Sequence, residues 1–193
     1  NGAPGVGITT TDLIGTDGYH ATDYADNFGG TSSATPLVSG VLALVLEANP
    51  TLTSRDVNHI LANSAAMTDA GNADWSQNAA GHDINHEYGF GRIDAATAVA
   101  IAEGWSNVGP EISATSGFVT VGSVIPDDSS AGLVSTVNIP DDVTLEYVEA
   151  VVNITHANRG NLEITLTSPG GTESILAEVR NSDSGSDYTN WIF

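Results

Sequence analysis

The sequence has no cysteine and no lysine. The first absence excludes disulfides, zinc–thiolate sites and a cysteine nucleophile. The second leaves four arginines against 24 acidic residues, for a formal charge of −20 at pH 7. Such a surface repels nucleic-acid phosphates and anionic membranes, so no nucleic-acid partner is expected. It favours cationic partners, divalent metals or a saline setting. A solvated acidic shell and an acidic groove for a basic substrate both fit this balance. Long apolar runs are also missing. The longest, Val41–Leu46, is far too short to cross a bilayer, and no membrane segment is expected. No signal peptide, internal repeat or low-complexity tract is visible. The chain opens on Asn1 rather than Met and ends at Trp191-Ile-Phe193 in mid-pattern, so it reads as a piece cut at both ends. Its 193 residues, 40% of them hydrophobic, allow one large domain or two modest ones.

The texture changes once along the chain. Gly7–Thr11 is rich in β-branched residues and predicts a short strand. Residues 13–31 show no periodicity and read as a loop. Ser32–Ala48 predicts a helix whose apolar residues cover nearly every face, hence one buried all round, stopped by Asn49-Pro50. Thr53 and Asp56 form a capping-box variant that opens a second helix with Val57, Ile60 and Leu61 on its apolar face. Residues 66–91 are Gly/Asn-rich loop. A third helix, Asp94–Glu103, ends at Gly104. Beyond Trp105 the periodicity is that of strands: Gly117–Val121, Ala131–Ile139, Leu145–His156, Asn161–Ser168 and Glu173–Val179. Turn signals separate them, among them Pro126-Asp-Asp, Pro140-Asp-Asp, Asn158-Arg-Gly and Pro169-Gly-Gly. This predicts an antiparallel β-sandwich with strands missing, and a boundary near residues 104–111.

The stretch Gly29-Gly-Thr-Ser-Ser-Ala-Thr-Pro36 sets three hydroxyl residues before the most apolar helix. A serine there meets free backbone N–H groups and the positive end of the helix dipole. The preceding glycines let a substrate approach, and Pro36 is read as lying in the first turn, where its missing N–H costs nothing. That is an oxyanion site beside a hydroxyl nucleophile. A serine at this position is also an ordinary helix cap.

Gly30-Thr-Ser-Ser-Ala-Thr-Pro36 resembles the nucleophile motif G-T-S-x-A-x-P of the subtilases. The likeness continues on both sides. Ala3-Pro-Gly-Val6 with Ile8-Thr-Thr-Thr-Asp12 resembles the strand and loop before the nucleophile. Leu46-Glu-Ala-Asn-Pro50, Leu52-Thr-Ser-Arg-Asp-Val57 and Tyr88-Gly-Phe-Gly-Arg-Ile-Asp-Ala95 resemble the helices that follow in the kexin/proprotein-convertase branch. Arg159-Gly-Asn-Leu162, Leu166-Thr-Ser-Pro-Gly170 and Asn190-Trp-Ile-Phe193 resemble that branch's P domain. The resemblance implies an α/β subtilisin-like catalytic domain, C-terminal part only, over residues 1–106. An incomplete all-β, jelly-roll-like P domain follows over 107–193.

It further implies a secreted or extracellular serine endopeptidase that acts on protein or peptide substrates, after basic residues, as a monomer. Ser32 would be the nucleophile, with Gly30 and Thr31 bordering the scissile residue. The Asp, His and oxyanion Asn of the triad scheme belong upstream, so the chain alone is expected to be inactive. Asn1 is too close to Ser32 to be that Asn. His20, His59, His82 and His86 read as structural or solvent histidines, with a His82–Asp83 pairing to Ser32 as a minor alternative. No cofactor is needed for the chemistry. Structural calcium is an expectation of the resemblance, with its ligands mostly upstream. Asp127-Asp128 and Asp141-Asp142 read first as turn formers, and Asn181–Asp187 lacks ordered EF-hand spacing. Asn153-Ile-Thr155 is a glycosylation sequon placed mid-strand, read first as an accidental match. Trp75 and Trp105 read as packing residues, Trp105 at the interdomain junction. The competing reading is non-enzymatic: a pseudoprotease, or a β-sandwich protein of binding or adhesion.

Overall fold

Ile8-Thr-Thr-Thr11 is β-branched throughout and forms β1 (Ile8–Thr11). In the computed structural model, which describes residues 7–141 and 143–193, β1 pairs antiparallel with β2 (Tyr24–Phe28). Asn1, Ala3–Val6 and Asp142, used above, lie outside the described residues. The expected loop 13–31 therefore contains a strand. Tyr24-Ala-Asp-Asn-Phe28 has no alternating pattern, and the ladder to β1 rather than propensity makes it extended. Gly7 permits the close pairing, because a Cβ there would collide with the Asn27 backbone.

The chain divides into two compact units, Asn1–Gly109 and Pro110–Phe193. In the first, α1 (Thr31–Ala48), α2 (Ser54–Ser64) and α3 (Ala95–Glu103) enclose a small core. Val45, Ile60, Ala98 and Ala102 are fully buried, with Val41, Leu52, Val99 and Trp105 packed against them. The expected cap of α2 forms, and Asp94, read as the first residue of α3, caps it instead. Thr53 accepts from the Asp56 N–H while Asp56 accepts from the Thr53 N–H, and Asp94 accepts from the Thr97 N–H at 3.0 Å. The long loop before α3 holds two minimal strands, β3 (Ser76–Gln77) and β4 (Asp83–Ile84), and Trp75 stacks on Tyr88.

Two expectations for α1 are corrected. It is not buried all round: Leu37, Leu44 and Leu46 keep 54%, 49% and 43% of their surface exposed. An all-round apolar helix needs cover on every side, and its chief neighbour among the described elements is α3. Nor is Pro36 in the first turn. It is the sixth helical residue, so the amide proton that would close on the Ser32 carbonyl is missing.

Asp56 organises the end of this unit. It is fully buried. Its carboxylate accepts from the Thr53 N–H and hydroxyl at 2.7 and 2.6 Å, the Trp105 indole at 2.9 Å and the Val108 N–H at 2.7 Å. Nearby, Arg55 donates to the Gly109 carbonyl and Asn107 to that of Thr51, both at 2.7 Å. Trp105, expected at the interdomain junction, thus packs within the first unit, stacked on His59. Residues 105–109 are strapped onto α2 rather than free.

The second unit contains two separate antiparallel pairs: β5 (Val151–Ile154) with β8 (Tyr188–Ile192), and β6 (Ile164–Thr167) with β7 (Glu173–Ala177). The β6–β7 hairpin turns at Pro169-Gly-Gly171, with Gly171 at φ +86° and the Ser168 N–H bonded to the Thr172 carbonyl at 2.9 Å. Arg159 lies 4.9 Å from the Trp191 ring and pairs with Asp183 at 3.1 Å. Gly160 has no room for a Cβ against the Arg180 and Asp183 carbonyls. Tyr188 is buried against Trp191 and Phe193. Asn153 and Asn190 bond reciprocally across β5 and β8, Asn190 N–H to Asn153 Oδ1 at 2.8 Å and Asn153 Nδ2 to Asn190 Oδ1 at 3.2 Å. The expected strands at 117–121 and 131–139 do not form, and the one at 145–156 shrinks to β5. Alternation makes a strand only where a neighbour supplies the ladder, and Phe118, Val124 and Val134 are 76%, 89% and 81% exposed.

Burial pushes the Asp56 carboxyl up, but the Thr53, Val108 and Trp105 donors outweigh it and hold it well below the usual carboxylate range. A lowered folded-state pKa stabilises fully above the unfolded value, about 4, and the contribution is lost as pH falls below it. Asp56→Asn should therefore lower the melting temperature at pH 7 by roughly 5 °C or more. It should also flatten the decline between pH 5 and 2. Thermal melts across that range check both; a variant as acid-sensitive as the parent would place the acid limb on other carboxylates.

Candidate active site

β2 delivers the chain to Gly29-Gly30, and α1 starts at once. Gly30 is the N-cap, with φ +85° and ψ −174°, a region that only glycine occupies without strain. A Cβ there would meet nothing within 4 Å, so the space before the helix is open. Thr31 and Ser32, the first two helical residues, are exposed. The N–H groups of Ser33 and Ala34 both close on the Gly30 carbonyl, at 3.1 and 3.3 Å. The N–H groups of Thr31 and Ser32 precede the first intrahelical donor and point out of the helix end, where the dipole is positive.

The fold separates the two adjacent serines. Ser32 is exposed. Ser33 is 5% exposed and donates its hydroxyl to the Gly30 carbonyl at 2.8 Å. Thr35 likewise donates to the Thr31 carbonyl at 2.9 Å. The sequence reading assigned Ser33 no such role; the available signal was the tendency of helical Ser and Thr to bond back to carbonyls three or four residues earlier. Gly30, Thr31 and Ser32 thus share one exposed helix end, with a hydroxyl, two free N–H groups and no obstructing side chain at Gly30.

Each histidine is engaged elsewhere. The His20 ring meets Asn27 Oδ1 at 3.1 Å, and its backbone N–H donates to Asp12, whose carboxyl is held low chiefly by that bond. His59 stacks on Trp105, His82 meets the Phe90 ring edge-on, and the His86 N–H donates to Asp74. The fifth, His156, contacts the Asn158 carbonyl through Nδ1 at 2.7 Å. None of these contacts involves Ser32, and the His82–Asp83 alternative gains no support from them.

A calcium cradle does not emerge from the residues singled out. Among the described residues no three His, Asp or Glu side chains converge in a metal-holding group. In the 181–187 loop, Asp183 is taken by Arg159 and Arg180, and Asp187 by the His156 N–H. The Arg159 hydrogen bond, first of several, keeps the Asp183 carboxyl low. By length and composition, α1 is the one described helix long and apolar enough to cross a membrane, a property the unbroken apolar runs did not reveal. Its first turn is the hydroxyl-rich end just described.

The chain is similar to known proteins in both of its units. Residues 2–91 match the Subtilase family, and residues 145–193 match the Proprotein convertase P-domain. Proprotein convertase subtilisin/kexin type 4 of Rattus norvegicus is 34% identical over 96% of this chain and 28% of its own length. Neuroendocrine convertase 2 of Drosophila melanogaster is 36% identical over 100% of this chain and 30% of its own length. A crystal structure of a serine protease of Aeromonas sobria superposes with a TM-score of 0.78 at 31% identity, covering 88% of this chain and 36% of that one. The chain therefore spans under a third of the length of these two curated relatives. With a subtilase segment leading into a P-domain segment, and likeness to convertases running through both, the chain belongs to the subtilase family, in its kexin-like proprotein-convertase branch.

Proposed function

We propose that the whole protein containing this chain is a serine endopeptidase in which Ser32 is the nucleophile. The observation that carries the reading is the sorting of the two serines: Ser32 is exposed at the head of α1, while Ser33 is buried and bonded to Gly30. In the scheme worked out for subtilisin and its analogues, the Ser32 Oγ attacks the scissile carbonyl carbon and an upstream His takes its proton. An upstream Asp orients that His. The oxyanion rests on the Ser32 N–H and an upstream Asn. The His then returns the proton to the leaving amine as the C–N bond breaks, and water releases the acyl group. Gly30 and Thr31 border the scissile residue. Residues 1–193 without the upstream His and Asp are inactive.

The same reading covers substrate and setting. The substrate is a protein or peptide cut after basic residues, consistent with the charge of −20. The enzyme is secreted or extracellular and monomeric. Residues 110–193 form part of a jelly-roll-like sandwich whose role is to stabilise the catalytic domain. Structural calcium, where the family scheme places it, is held by upstream residues.

Three outcomes test this on the full-length protein. Ser32→Ala should lower kcat by about 10⁶-fold, a magnitude taken from the subtilisin series rather than from this geometry. Retained activity would assign the nucleophile to another group and leave Ser32 a mere helix residue, whereas a parent protein with no activity at all would leave a pseudoprotease or binding protein. Truncation after Gly109, the last residue of the strapped segment, should lower the melting temperature or the yield; an equally stable truncated enzyme would remove the stabilising role. Raising NaCl from 0.05 to 0.5 M should increase KM for an Arg-containing peptide several-fold and leave that for a neutral peptide unchanged, because screening weakens the acidic field.

A further inference from the structure

Gly30 caps α1 without a side chain. A Ser, Thr, Asp or Asn at this position would fix the entry of the helix through its own side chain, and glycine cannot. The first turn also has a gap behind it, because Pro36 withholds the donor that would reach the Ser32 carbonyl. The peptide between Gly30 and Thr31 is therefore held chiefly through the Gly30 carbonyl. Three donors meet there: the Ser33 N–H at 3.1 Å, the Ala34 N–H at 3.3 Å and the Ser33 hydroxyl at 2.8 Å. The hydroxyl bond is the shortest of the three, and it is shielded from water, since Ser33 is 5% exposed.

We propose that Ser33 is a positioning residue for Ser32, its hydroxyl fixing the Gly30–Thr31 peptide and hence the direction of the Ser32 N–H and Oγ. This rests on the reading of Ser32 as nucleophile. The physical reason is leverage. Gly30 has the widest backbone freedom of any residue, and it stands immediately before the exposed helix end. Rotation of the Gly30–Thr31 peptide would swing the first helical amides away from a bound oxyanion. Such amides work only when they are preorganised toward the charge that develops. The Thr35 hydroxyl makes the same kind of tie one residue later, to the Thr31 carbonyl at 2.9 Å, so the carbonyls on the N-terminal side of Ser32 are both braced from within the helix. Ser33 touches neither substrate nor reacting atoms in this scheme. It acts through the backbone of Gly30.

The test compares Ser33→Thr with Ser33→Val in the full-length protein. The two side chains have nearly the same shape, and only Thr keeps the hydroxyl. Ser33→Val and Ser33→Ala should lower kcat by about tenfold with KM within twofold of the parent, the pattern of a lost transition-state interaction. They should slow labelling of Ser32 by a fluorophosphonate ester by a similar factor. Ser33→Thr should recover most of both rates. Melting temperatures of the variants give the structural effect separately. The proposal is overturned if Ser33→Val matches Ser33→Thr, whether both are fully active or both are impaired. It is also overturned if the losses appear only in melting temperature or KM. Ser32→Ala run alongside separates the two levels. If it abolishes turnover while every Ser33 variant is unchanged, the nucleophile stands and the positioning role falls. If it leaves turnover intact, the nucleophile reading falls and takes this one with it.

Discussion

A buried carboxylate, Asp56, is the constraint on which the first unit depends. It is fully shielded, and a charge in that position survives only if donors surround it. Thr53 supplies two of them from the start of α2, and Trp105 and Val108 supply the others from beyond α3. The helix cap and the strap are therefore satisfied by the same group. If the strap lifts, the charge is left short of donors; if the cap frays, the strap loses its anchor. This reciprocity holds α2, α3 and residues 105–109 as one piece, and α3 is the surface on which α1 rests. The helix bearing Ser32 is thus seated through contacts that trace back to a residue far from it in the fold's logic.

The features legible in the sequence are those with local causes. Thr53 with Asp56 and Asp94 before Thr97 are capping chemistry, and both helix starts lie where those residues put them. Pro169-Gly-Gly171 is turn chemistry, and the β6–β7 hairpin turns there. The exposed helix end at Gly30-Thr31-Ser32 lies where the motif's glycines and hydroxyls suggested one. What escaped depends on partners distant in sequence. Tyr24–Phe28 is a strand because β1 lies beside it, and Tyr188–Ile192 is a strand because β5 does. Gly117–Val121 and Ala131–Ile139 have the pattern of strands without an observed ladder. Trp105 announces packing, but its position cannot say that the indole N–H is destined for Asp56.

Pro36 and Ser33 show how position along a helix decides a chemical argument. Pro36 stands four residues after Ser32, so the Ser32 carbonyl lacks its usual donor whether the helix begins at Thr31 or at Ser32. Ser33 is the third helical residue, where its hydroxyl reaches back to the cap. The adjacent hydroxyls are chemically alike and differ only in the 100° turn between successive helical residues. That turn exposes one and buries the other.

The paired asparagines of β5 and β8 bear on a process that acts on the chain before it is complete. Asn153 heads a sequon, and sugar transfer requires its amide nitrogen to be free and its backbone to be pliable. In the folded unit that nitrogen donates to Asn190, its oxygen holds the Asn190 N–H, and its backbone lies in a ladder. Asn190 is 37 residues further along. During synthesis there is thus an interval in which Asn153 has been made and its partner has not, and that interval is when a transferase would find an acceptor. A glycan carried by the Asn153 amide nitrogen would put a sugar at the contact that Asn153 and Asn190 share between β5 and β8.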